Sequence, residues 1–525
     1  MKTLGAVVLA CLLVALPAAP APRASAQSGA TLSFPRILRV APSGDLQAAL
    51  DSARPGDFIE LPAGATYVGN FVLPYKSGRS WVVIYSSGLP RLPGPGTAMS
   101  PDHARFMARI VSPNASPAVR TAPAAHHYVL AGIEITTTSG ALTDLVFLDF
   151  PGQTIEQIPT DIVLYRCYIH GNSTGQIRRG VALNGARLSV IGSYLSDFHH
   201  TEEDSHAIQG WNGPGPFWIV GNYLEGAGAN VMFGGAGTTI PDLVPTGITI
   251  RGNRFSKPLA WREGDPSFAG IRWSVKNLLE LKNARQVRVE GNVFEHNWAQ
   301  TQHGFAIVLT PRNQSGEAPW STVEDVVIAN NLIRRSTAGI NVLGWDNFRP
   351  SGQARRIVIR HNLFEEIGAF AGPLPNAGVL FLVSDGPADL VIDHNTAFQT
   401  GHPLRAATVD SRVLRWPAAG FVFTNNLVLN DGGVAGNGTA LQTLAAWFPG
   451  SVFARNAFVG GSPADYPPPL DNNVFPGSVF DVGFVDYAGG DYRLAEGSLL
   501  RGQATDGTDI GANIAALTAA LLRWW

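Results

Sequence analysis

Val287-Arg-Val-Glu-Gly-Asn-Val-Phe294 decides the fold, because its form (apolar, any, apolar, any, any, Asn, any, apolar) recurs down most of the chain. The same form is met at 162–169, 188–195, 217–224, 248–255, 326–333, 357–364, 390–397, 421–428 and 451–458. Its sixth position holds Cys167, Ser193, Asn222, Asn253, Asn292, Asn331, Asn362, Asn395, Asn426 and Asn456. Successive copies lie 26 to 39 residues apart, too irregular for a helical solenoid of fixed length but natural for coils whose loops vary. Short strands that pair with their copies in the next coil bury their apolar side chains in one continuous core. An Asn at one fixed place can bond the Asn above and below, satisfying a turn that would otherwise bury unpaired polar groups. Cys167 and Ser193 occupy the same ladder, so Cys167 reads as a buried structural thiol.

Between one Asn and the next there is room for a second strand, seen at Ala207-Ile-Gln-Gly210, Asn230-Val-Met-Phe233, Leu278-Leu-Glu-Leu281, Ala306-Ile-Val-Leu309, Ile340-Asn-Val-Leu343 and Val379-Leu-Phe-Leu382. A third strand per coil is not legible everywhere. Ahead of the repeats, residues 43–54 predict a short amphipathic helix with Ser43 as N-cap, followed by first strands at 58–61 and 67–73. Such a helix covers the open apolar end of a stack. Near the other end, 491–498, Gly507-Thr-Asp-Ile-Gly-Ala512 and 514–522 predict a last strand, a turn and a closing helix.

The remaining bounds agree with a folded β protein. The 525 residues are 45% apolar and 15% charged, with 58 Gly and 37 Pro, a turn-rich composition that is not that of a disordered chain. A formal net charge of −2 offers no basic field for nucleic acid or an anionic membrane. Met1-Lys2, an apolar run from Leu4 to Leu16 and the small residues Ala24-Ser25-Ala26 read as a secretory signal cut near Ala26, which predicts a secreted protein, extracellular or periplasmic. No later run approaches a membrane span. The expected organisation is a signal peptide at 1–26, an N-terminal cap and first coils at 27–127, a coil stack at 128–480, and a C-terminal strand and capping helix at 481–525. Removal of the signal takes Cys11 with it and leaves Cys167 with no cysteine to pair with.

With its Asn-marked coils, its signal segment, the Leu46-Gln-Ala-Ala-Leu50 helix, Pro55-Gly-Asp-Phe-Ile-Glu-Leu61 and the closing Gly507-Thr-Asp-Ile-Gly-Ala512, the mature chain resembles the pectate-lyase-like superfamily of secreted parallel β-helix proteins. The resemblance implies an all-β chain, a single-stranded right-handed parallel β-helix of about ten or more coils with N- and C-terminal capping helices. The superfamily hosts lyases, hydrolases, epimerases and adhesins, so fold alone does not name the chemistry. The Asn-Thr-Asp, Asp-Asp and Gly-His-Gly motifs of its polygalacturonase-type hydrolases are missing, and Gln302-His303-Gly304 is a partial echo. Lys282-Asn-Ala-Arg-Gln-Val287 ahead of Gly291-Asn292, with Arg312 one coil later, is similar to the alginate and chondroitin lyase branch. That branch carries calcium-binding carboxylates five and seven residues before the Lys, where this chain has Asn277 and Val275. No metal ligand is therefore assigned, and calcium stays open with Glu280 nearby.

Strand alternation turns Leu279 and Leu281 inward and puts Glu280 and Lys282 on one outward face. Proton removal α to a uronate carboxylate needs a base beside the sugar and positive charge on the carboxylate, roles for Lys282 and Arg312. The ends of the second strands place Trp211, Asn283, Asn313, Trp345, Asp346 and Asn347 in one row, where aromatic faces and amides suit an extended glycan. Trp211, Glu280, Asn283, Trp345, Asp346 and Asn347 are the substrate-binding candidates. A solvent-facing Glu280–Lys282 pair and tryptophans that merely cover loop bases account for the same residues. The cluster His199-His-Thr-Glu-Glu-Asp-Ser-His206 could ligate a metal or form a solvated turn. The leading reading is a monomeric polysaccharide lyase acting on an acidic glycan. A non-catalytic glycan-binding or surface protein, and a hydrolase or epimerase, stay open.

Overall fold

The computed structural model describes residues 35–149, 154–370, 376–408, 417–470 and 472–522, so the predicted signal segment lies outside the described residues. Three parallel sheets of 14, 13 and 12 strands run the length of the chain, and each coil contributes one strand to each sheet in turn. The chain is a right-handed parallel β-helix.

The opening stretch is two strands and the corner between them. Ala284–Glu290 belongs to the 14-stranded sheet and Val293–Asn297 to the 13-stranded sheet, and Gly291-Asn292 turns the corner. The third strand that could not be traced in the sequence is thus the tail of the repeated unit itself. Phe305–Leu309 then completes the coil in the 12-stranded sheet. The next coil stacks in register, Val287 on Val326, Phe294 on Ile333 and Ile307 on Ile340. Gly291 has φ +64°, and a Cβ there would lie 2.9 Å from the Ala520 carbonyl oxygen. A side chain at this corner is excluded by backbone conformation and by space together.

The ladder forms as expected and continues one rung further, to Asn473. Asn292 donates its main-chain N–H and its Nδ2 to Asn331 Oδ1, both at 2.9 Å, and the pattern repeats through Asn362, Asn395, Asn426 and Asn456. At the other end Ser193 N–H bonds Asn222 Oδ1 and Cys167 N–H bonds Ser193 Oγ. Full burial pushes the Cys167 thiol up to about 12, as a structural role requires.

Coils begin earlier than the repeat suggests. Ile37–Arg39 already pairs with Phe58–Leu61, so the first helix, Leu46–Ser52, follows a strand and leads into the next. Its N-cap is Asp45, whose carboxylate accepts the Ala48 N–H at 2.8 Å, and not Ser43, which sits at φ +58°. Leu46, Leu50 and Ala53 enter the main core and close that end. Asp45→Ala is expected to cost about 1 kcal/mol in a denaturant titration. The stretch 67–73 is split between sheets, into Thr66–Val68 and Phe71–Leu73.

The opposite end of the core is covered by the helix Ala440–Trp447, where Leu444, Trp447, Phe448, Tyr466 and Leu470 join the main cluster. The predicted closing helix forms at Ile514–Leu522 but has another position. The segment before it runs back along the flank, with Thr505 N–H on Asn425 Oδ1, Ala512 N–H on Thr396 Oγ1 and Asn513 N–H on His361 Nδ1. It straps successive coils together and caps neither end. The predicted strand near 491 pairs antiparallel with Phe484–Asp486, outside the coil stack. Among the described residues no helix is long and apolar enough to cross a membrane.

Candidate active-site face

The 12-stranded sheet turns one row of side chains outward, in the register Ala182, Gln209, Met232, Glu280, Val308, Asn341. Leu279 and Leu281 enter the core, as alternation requires, and Glu280 lies on the outer side. The face is not freely solvated. The Glu280 and Lys282 side chains are 5% and 12% exposed, and the turn that follows Ala229–Phe233 comes close to Lys282. Gly234 makes that approach possible at φ +88°, since a Cβ there would come 2.9 Å from Lys282 Cβ.

Lys282 and Arg312 sit on neighbouring coils, and the Arg312 N–H donates to the Lys282 carbonyl at 2.9 Å. The Arg312 guanidinium bonds Asp346 Oδ1 at 2.9 Å and Asn347 Oδ1, and lies 5.5 Å from the Phe348 ring. Asp346 is fully engaged: Oδ2 accepts the Asn313 N–H at 2.9 Å and Oδ1 the Phe348 N–H at 3.0 Å. Asp346 therefore orients Arg312, and Trp345 lies half-buried at the start of the same turn. Asn283 belongs to the scaffold and not to the face. Its Nδ2 donates to the Leu243 carbonyl, its Oδ1 accepts the Thr322 N–H, and it is 3% exposed.

The adjoining coils bring residues that the sequence did not single out. Arg179 binds Asp144 through Nε at 2.5 Å and Nη2 at 3.2 Å, reaches Gln209 Oε1 with Nη1, and stacks 4.8 Å from the Trp211 ring. Trp211 thus carries a cation on its face, an arrangement that fixes both side chains. Beside Arg179, His206 is 2% exposed with Nδ1 2.9 Å from the Ala229 carbonyl. Burial, against the opposing field of Asp204, brings its pKa down to about 3, so the ring is neutral and Nδ1 is the donor. Asp204 pairs with Lys276, and although burial works against its ionisation, Lys276 and Lys282 hold its carboxyl below the usual range. Arg179 was missed because its strand, Gln176–Leu183, carries Gly180 and matches no repeated unit, although the in-register pair Ala182 and Gln209 marks it.

The cluster 199–206 does not converge. His199 stacks on Trp273 with ring centroids 3.7 Å apart, and burial brings its pKa down to about 4. His200 Nδ1 accepts the Glu202 and Glu203 N–H groups, and Glu203 pairs with Arg178. Among the described residues no group of three or more His, Cys, Asp or Glu side chains is arranged to hold a metal. At the two positions where the resembling branch has calcium ligands, Asn277 donates to Gln302 Oε1 at 3.0 Å and Val275 lies in an apolar cluster. That donor set does not fit calcium.

Both depressed histidines make stability pH-dependent. The unfolded chain takes up their protons below the ordinary histidine value of about 6.5, while the folded chain refuses them until about pH 4 at His199 and about pH 3 at His206. Stability is therefore expected to fall as pH drops from about 6.5 towards 3. The fall will be shallower in His206→Gln when denaturant midpoints are followed against pH.

The fold class is thus a parallel β-helix with a charged, partly covered face on one sheet. No family model matches the chain, and no curated protein does. Among solved structures it is similar to an alginate lyase from Paenibacillus sp. str. FPU-7, at 12% identity over 76% of this chain and 97% of the other, with a TM-score of 0.33. It is also similar to a pectate lyase (14%, 91% and 96%, TM-score 0.38). A third is a mannuronic acid specific polysaccharide family 6 lyase from human gut microbiota (13%, 81% and 86%, TM-score 0.46). The fold assignment rests on the coil topology itself.

Proposed function

We propose that the protein is a secreted polysaccharide lyase that cleaves an acidic, uronate-containing glycan by β-elimination on the outer face of the 12-stranded sheet. One observation carries the reading. Three cations of this face are each held by a carboxylate, Arg179 by Asp144, Lys276 by Asp204 and Arg312 by Asp346. Lys282 differs, with Glu280 Oε1 at 3.5 Å and no hydrogen bond to Nζ among the described residues. A held cation neutralises and orients, whereas an amine without a hydrogen-bonded partner can reach a substrate proton.

In this reading Lys282 Nζ, unprotonated at that moment, takes the proton from the carbon α to the uronate carboxylate. The released electron pair forms the ring double bond as the glycosidic oxygen departs, and that oxygen is reprotonated from solvent. Arg312 has N–H groups beyond those used by Asp346 and Asn347, and these neutralise the carboxylate. Successive coils lie about 4.8 Å apart, so the row from Trp211 to Trp345 is long enough to hold several sugar units.

The test is to incubate the purified protein with pectin, alginate and glycosaminoglycans and to follow absorbance of the unsaturated uronate. Absence of the signal on every substrate would remove the lyase reading. A non-catalytic glycan-binding role is favoured by the carboxylate partners of Arg179 and Arg312, and is supported if binding persists without product and is lost in Trp345→Ala. Export is tested by the mature N-terminus, expected near residue 27, and the monomer by the sedimentation mass.

A further inference from the structure

A cavity of about 300 Å³ lies away from that face, between the outer face of the 13-stranded sheet and the segment 258–273 that arches over it. Its floor includes Tyr168 and Tyr194, two rungs of a tyrosine ladder that continues in register to Tyr223 beyond the cavity. The Tyr194 and Tyr223 rings stack 4.3 Å apart, and Tyr168 meets Tyr194 edge-on at 5.7 Å. The roof is apolar, with Trp261 and Trp273 packed in a satellite core with Val275 and Trp298. Between floor and roof lie Ser173, Ser196, Asp197 and Glu225.

These polar groups are built into the wall. Glu225 is 6% exposed, its Oε1 accepts the Tyr223 hydroxyl at 2.8 Å, and its Oε2 lies 3.3 Å from the Asp197 N–H. The Ser196 hydroxyl donates to Asp197 Oδ2 at 3.1 Å. Burial, with the charge of Asp197 added, pushes Glu225 up to about 8, so at neutral pH it holds a proton and can donate as well as accept. Among the described residues the lining contains no Lys or Arg, so a uronate carboxylate would meet Asp197 with nothing to offset it. An ammonium group only donates and would leave the serine, tyrosine and Glu225 donors unmatched. A sugar hydroxyl does both, and aromatic walls suit the C–H face of a pyranose.

We propose that this cavity is a separate carbohydrate-binding site for an uncharged sugar unit, distinct in location and in preferred charge from the acidic-glycan face. The volume lies at the lower end of small-molecule pockets, of order one ring with its substituents.

Isothermal titration of the whole protein with glucose, galactose, mannose, cellobiose and lactose, and with digalacturonate as the anionic comparison, tests this. At least one neutral sugar is expected to bind saturably, and more tightly than digalacturonate. Ser173→Trp, which fills the mouth from an exposed position, and Tyr194→Ala are each expected to weaken that binding at least tenfold. Lys282→Ala is expected to leave it within twofold, which separates failure here from failure of the lyase reading. No binding by any neutral sugar, tighter binding of the uronate, survival of binding in Ser173→Trp, or its loss in Lys282→Ala would each overturn the proposal.

Discussion

Lys282→Ala is expected to lower kcat for β-elimination by about 10³-fold, the scale of a positioned general base. The fold should survive the change. The Lys282 side chain hydrogen-bonds to none of the described residues, and the main-chain bond that Arg312 makes to its carbonyl does not depend on the side chain. What remains is Glu280 with no cation among the described residues within 4 Å, and its 5% exposure makes some loss of stability expected. Lys282→Ala/Glu280→Gln removes that charge as well and should recover the stability without recovering the rate. Initial rates of unsaturated-uronate formation and denaturant midpoints, measured on both variants, separate the two effects. A rate within tenfold of the unmodified protein would exclude Lys282 as the base, and His206, neutral and on the same face, would become the group to replace next.

Asn331→Ala should be among the most destabilising single changes in the chain, at about 3 kcal/mol or more. The Asn331 side chain is fully buried and serves both neighbouring coils. Oδ1 accepts the N–H and Nδ2 of Asn292, while Nδ2 donates to the Val289 carbonyl at 3.0 Å and to Asn362 Oδ1 at 2.9 Å. Truncation strands the Asn292 N–H and the Val289 carbonyl in a dry corner, and each buried group left unpaired costs about 1–3 kcal/mol. Ser193→Asn at the edge of the ladder gives the opposite comparison, because the new amide could bond both Cys167 N–H and Asn222. Equilibrium unfolding reads both variants, and an Asn331→Ala loss below about 1 kcal/mol would show that the corner rehydrates.

The site was less legible than the fold. The sequence placed Glu280 and Lys282 on one outward face by alternation, and the in-register row through Met232 and Val308 includes Glu280, whereas Lys282 follows the last residue of the strand, Leu281. It set Asn283 beside them as a binder, whereas the amide of Asn283 is spent joining Leu243 to Thr322. Alternation gives direction only within a strand, and Asn283 lies just beyond Asn277–Leu281, where the chain has begun to turn. Arg179 and Asp144 escaped notice because they come from coils whose units diverge from the consensus, though Asp144 holds Arg179 and Arg179 packs on Trp211. The closing helix was found at the right residues and given the wrong place, since amphipathic pattern marks a buried face without saying what buries it.

By itself the sequence determined the coil, its corner asparagines and its period. Each coil repeats the same local contacts with the next, so the same residue types recur and can be counted. Only the tertiary structure decided which face gathers the charges, that Asp346 holds Arg312 while the Lys282 side chain hydrogen-bonds to none of the described residues, and that the C-terminal segment straps the flank. Those contacts join loops of unequal length on different coils, each made once, and a contact made once leaves no period to read.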